Sequence, residues 1–150
     1  MMRKIPAMLH PDNANNAGLL ILRLGLGILT IHHGYQKLAH FEEMKRGFPG
    51  IFGLSSSVSL AAAMSVELLG STFIILGLFT RITAVPLIIT MSVALFKIKE
   101  GEIFGGGETA ALYLLGYLCL LLSGPGMLSI DSLAAIKSTR GLTRIEDNIY

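Results

Sequence analysis

The 150 residues contain one cysteine, Cys119, and it falls inside an apolar segment. A lone thiol can form neither an internal disulfide nor a CxxC pair, so redox chemistry in this chain would need a carrier other than its own sulfur. Charge is also scarce: Asp, Glu, Lys and Arg make up 15 % of the residues and the net charge is only +2. With no arginine-aromatic patch beside it, that balance argues against a nucleic-acid partner. Histidines and carboxylates never recur at the HxxxH or ExxH spacings that put two ligands on one helix face, so no metal site is expected. There is no repeat, low-complexity tract or cofactor-binding motif. The opening MMRKIPAMLHPDNANN is basic but has no apolar run of its own before Pro11, so no cleavable signal peptide is expected.

What the chain does have is apolar length. Apolar residues make up 52 % of it and the mean hydropathy is +0.64, the composition of a membrane protein rather than a soluble domain. Residues 18–38 and 58–79 meet the roughly 20-residue length of a bilayer span. Residues 82–96 reach it if Lys97 and Lys99 snorkel, and residues 107–123 if their glycine-rich entry is helical. The expected fold is all-α, a polytopic membrane protein built as a four-transmembrane-helix antiparallel bundle. Its expected divisions are a polar N-terminal tail (1–16), a four-span membrane domain (17–136) and a polar C-terminal tail (137–150). Asn13, Asn15 and Asn16 are placed to cap a helix starting near Ala17, and Pro86 falls in the first turn of the third span. The 39–57 connection, with Phe41, Phe48, Ile51 and Phe52, reads as an interfacial piece or as an ordinary loop. The termini side collects Arg3, Lys4, Arg81, Lys137, Arg140 and Arg144, against Lys37, Lys45, Arg46, Lys97 and Lys99 on the other side. That small excess favours cytoplasmic termini in the inner membrane.

The first span carries Arg23, His32, His33 and Lys37, and ionisable side chains at such depth need partners or a use. At ~100° per residue, Arg23, Gly27, Thr30, Gly34 and Lys37 share one face, with His33 at its flank and His32 pointing away. Counted from a common membrane face, Glu67 lies level with Thr30, and Glu108 level with His33. Two layers result. His33, Lys37, Glu67 and Glu108 form a candidate site, with His33 and Glu67 as proton-handling groups and Arg23, Lys37 and Glu108 as ligand-binding groups. Near the termini face, Arg23 and Asp131 are expected to form a structural ion pair. Tyr113 and Tyr117 read as packing or belt residues.

The motifs RLGLG with Arg23, HGYQK with His33 and Lys37, the segment from Glu67 to Ser71 followed by GLFTR, then GGGE ending at Glu108 and GPGMLSID ending at Asp131, in that order, resemble the DoxX family of small four-helix membrane proteins. The resemblance spans roughly residues 18–135. It implies an inner-membrane protein often labelled an oxidoreductase. Its relatives include a subunit of a thiosulfate:quinone oxidoreductase and proteins linked to membrane complexes with superoxide dismutase and a sulfurtransferase, or to quinone and catechol stress. The expected function is therefore the membrane component of a redox system whose polar cluster binds a small molecule such as a quinone, with electrons arriving from a soluble redox partner. The alternatives are a non-enzymatic scaffold recruiting soluble detoxifying enzymes and a proton-coupled carrier, the last requiring a homo-oligomer.

Overall fold

The computed structural model describes residues 11–136, so residues 1–10 of the expected N-terminal tail and the C-terminal tail 137–150 lie outside the described residues. Among the described residues every regular element is helical. The long helix α1 spans Pro11–Ala39, and the short α2 spans Phe41–Gly47. Helix α3 runs Ser56–Leu76 and α4 runs Thr80–Ile98. Helix α5 spans Glu108–Ser123, and residues 130–136 are helical. Helices α1, α3 and α4 are each long and apolar enough to cross a membrane, whereas α5 is apolar but shorter.

Two starts differ from the sequence expectation. Helix α1 is already running at Pro11, so the asparagines do not cap it near Ala17. Asn16 instead accepts a hydrogen bond from the Met127 amide at 2.8 Å. Helix α4 begins at Thr80, which puts Pro86 in its second turn rather than its first.

The turn between α3 and α4 explains its own sequence. Gly77 adopts the left-handed conformation (φ 66°), with Leu78 N–H bonded to Phe73 O at 3.0 Å and Gly77 N–H to Ile74 O at 3.1 Å. This is the two-bond glycine helix stop, and it satisfies carbonyls that α3 would leave exposed. Phe79 is also left-handed (φ 47°), a conformation that costs a non-glycine residue on the order of 1 kcal/mol. The compensation comes from the far end of the chain. The Asp131 carboxylate accepts from the Phe79 amide at 2.8 Å and the Thr80 amide at 3.0 Å, capping α4 from outside.

The bundle closes around Ile74, Ala84, Leu87, Met91, Tyr113, Tyr117 and Leu120, contributed by α3, α4 and α5. Helix α1 lies against this core through glycines. A Cβ on Gly34 would stand 2.9 Å from Leu68 Cγ and 3.2 Å from Glu67 Cβ, and one on Gly27 would collide with Ile75. Close approach of α1 and α3 is therefore written into the glycine spacing on the face that also carries Arg23, Thr30 and Lys37.

Candidate functional site

Glu67 lies in a five-residue turn, Val66–Gly70, where α3 widens to π-helical hydrogen bonding. Such widened turns recur at functional sites because they reset the register of side chains on either side. The carboxylate is 2 % exposed, and its Oε1 accepts from Lys37 Nζ of α1 in an ion pair. Its Oε2 is buried and has no hydrogen-bond partner. Gly34, one turn before Lys37, lets α1 come near enough for this pair to form.

Around the pair a chain of polar and aromatic side chains runs through the bundle. His33 is half-buried and stands edge-on to the Tyr113 ring, with centroids 5.6 Å apart and planes at 86°. Tyr113 stacks on Tyr117 at 6.5 Å, and the Tyr117 hydroxyl donates to Thr30 Oγ1 at 2.7 Å. Ser71 lies beside the same hydroxyl. His33 is within electrostatic reach of both Lys37 and Glu67.

Two cavities meet at the ion pair. The larger, about 440 Å³, is bordered by His33, Lys37, Glu67, Tyr113, Lys99 and Phe48, with Thr109 and Ala110 of the first turn of α5. A volume of that size is in the range of small-ligand sites. The smaller, about 210 Å³, is almost wholly apolar, with Phe48, Ile51, Val66, Ile89 and Val93 on its walls, and Lys37 and Glu67 also line it. The pair thus lines both chambers, and His33, Lys99 and Tyr113 join it only in the larger.

Of the residues singled out from sequence, the structure brings together His33, Lys37 and Glu67. Glu108 is not with them: it is exposed in the first turn of α5, and the helix turns Thr109 and Ala110 to the cavity in its place. Arg23 and Asp131 share the opposite end of the bundle but do not form the direct ion pair expected. The Arg23 guanidinium, 1 % exposed, donates to the Leu128 carbonyl, while both Asp131 oxygens are taken by the start of α4. Helix capping outcompetes the ion pair there because two backbone N–H groups would otherwise have no partner. The carboxylate still acts on the guanidinium through space. His32 points outward and is bonded to the Gln36 side chain at 2.9 Å. Sequence reasoning missed Tyr113, Tyr117 and Thr30 as one connected set. The signal was available in the i, i+4 tyrosines and in Thr30 midway between Arg23 and Lys37. Among the described residues, no three His, Cys, Asp or Glu side chains are grouped so as to hold a metal ion.

Apolar helices around a buried lysine–glutamate pair define an all-helical membrane protein with an interior polar site. The DoxX family model matches residues 18–100, which is more than half of the chain, and the protein belongs to that family. It is 35 % identical over 121 residues to an "Uncharacterized protein" of Haemophilus influenzae, covering 76 % of this chain and 88 % of that one. A protein of Mycobacterium tuberculosis named as an uncharacterized membrane protein is 29 % identical over 149 residues, covering 89 % of this chain and 90 % of its own. The protein named "Putative oxidoreductase CatD" in Bacillus subtilis is 33 % identical over 115 residues, covering 76 % of this chain and 84 % of its own. No solved structure matches the chain.

Proposed function

We propose that the protein is a four-span inner-membrane component of a redox system and that the chamber around Lys37 and Glu67 binds a small quinone-like ring. The observation that carries this reading is the Glu67 carboxylate, buried, paired through one oxygen only, and bordering both cavities. A buried ionised group left half satisfied is costly, and such groups concentrate where a ligand completes them. The name of the Bacillus subtilis relative points the same way.

The residues present fit a flat ring bearing two oxygens. Tyr113, Phe48 and the edge of His33 supply aromatic walls, and Lys37, Lys99 and His33 supply donors toward ring oxygens. A quinone supplies two-electron, two-proton chemistry when bound. The chain's own part is to orient the ring, exclude water with Met91 and Ile98, and accept a proton from a ring hydroxyl at Glu67 Oε2 or the His33 ring. Electrons come from a soluble partner enzyme, since the chain has one cysteine and no cofactor motif. Extraction and mass spectrometry of purified protein is expected to return a quinone. Glu67→Gln and His33→Ala are each expected to lower quinone-coupled turnover by at least about 100-fold, the usual worth of a positioned proton donor or acceptor. Protein that carries no quinone, with both variants as active as wild type, overturns the reading.

A further inference from the structure

The unpartnered Glu67 oxygen says more about the ligand than that it is a ring. Oε1 is taken up by the Lys37 ammonium in the ion pair, and a carboxylate paired in this way offers its other oxygen as an acceptor only. A ring presenting a bare carbonyl to Oε2 would set two acceptors against each other at an oxygen that is itself buried from solvent. A ring presenting a hydroxyl would give Oε2 the donor it lacks. We infer, building on the aromatic-ligand reading above, that the site selects the hydroxyl-bearing, reduced form of its ring, a hydroquinone or related phenol, over the oxidised carbonyl form, with Glu67 Oε2 as the discriminating acceptor.

The surroundings agree with a hydroxylated ring that carries an apolar substituent. The ring belongs in the larger chamber, between Tyr113, His33 and Phe48. The apolar chamber opens on the other side of the same carboxylate, where Ile51, Val66, Ile89 and Val93 suit an alkyl or isoprenoid chain. Phe48 borders both chambers, so ring and chain meet beside the ion pair.

The test is equilibrium binding to the purified full chain in detergent under anaerobic conditions, with three probes: decylhydroquinone, its oxidised quinone, and its dimethyl ether. A hydrogen bond to a charged acceptor makes the hydroquinone bind roughly 10- to 100-fold tighter than the other two. In Glu67→Gln the side-chain amide offers a donor, and the preference shifts toward the quinone. The three-probe series on wild-type protein stands alone if that variant does not fold. Equal affinity for hydroquinone and dimethyl ether, the result if a buried water already serves Oε2, overturns the inference and leaves the ligand site standing. Failure of all three probes to bind overturns both.

Discussion

At the scale of single residues, the pair of Lys37 and Glu67 decides most of what the interior can do. Glu67 is buried and Lys37 is half-buried, so removing Lys37 strands the Glu67 charge in the interior of the bundle. Breaking a buried pair from one side typically costs about 3–5 kcal/mol, far more than the pair contributes relative to neutral residues. Lys37→Met is therefore expected to lower stability by about 3 kcal/mol or more. The double variant Lys37→Met with Glu67→Gln is expected to recover the greater part, because no charge is left inside. Thermal unfolding in detergent of both single variants and the double checks this as a double-mutant cycle. Additive losses, with no recovery in the double, would mean that the two side chains do not act as a unit.

At the scale of elements, α1 and α3 are set by small residues rather than by polar ones. Gly34 leaves too little room for a Cβ, with Leu68 Cγ 2.9 Å and Glu67 Cβ 3.2 Å away. Gly34→Ala raises helix propensity by nearly 1 kcal/mol yet forces the helices apart one turn from Lys37. Overpacking of this kind costs typically 1–3 kcal/mol, so the net expectation is a small loss of stability together with a larger loss of ring binding, as Lys37 shifts from Glu67. Melting temperature and decylhydroquinone affinity measured on one preparation separate the two effects. How much of this was legible beforehand follows from the physics. The face carrying Arg23, Thr30, Gly34 and Lys37 was readable because helix periodicity is local. The widened turn at Glu67 was not readable, because hydrogen-bond register inside an apolar run leaves no compositional mark. Nor was the capping of α4 by Asp131, which depends on the 124–131 segment folding back over the Gly77 turn, where Asp131 N–H meets Gly77 O at 3.0 Å. Glu108 was misplaced because depth along a span does not say which way the first turn of a helix faces.

At the scale of the whole molecule, the question is whether α5 crosses the bilayer. Its 16 residues extend about 24 Å at ~1.5 Å each, short of a hydrocarbon core of about 30 Å. Its neighbours make the crossing workable. The start of α5 is level with the end of α4, where Gly107 touches Leu95, and its far end runs into the 124–131 segment held down by Arg23 and Asp131. Packed between full-length helices, a short span is accommodated by local thinning at a modest cost. Helix α2 and the 99–107 loop then share one membrane side, and the Gly77 turn and the 124–131 segment share the other. Single cysteines in a Cys119→Ser background read this out, using a maleimide that cannot enter intact cells. With cytoplasmic termini, Glu43→Cys and Glu102→Cys are expected to label from outside, and Met127→Cys only after permeabilisation. All three side chains are exposed, so labelling reports sidedness rather than burial. The reverse pattern would turn the bundle over and overrule the lysine and arginine bias. Labelling of Glu102→Cys and Met127→Cys from the same side would show that α5 does not cross, and the chamber that its first turn helps to wall would then have to open toward the membrane surface.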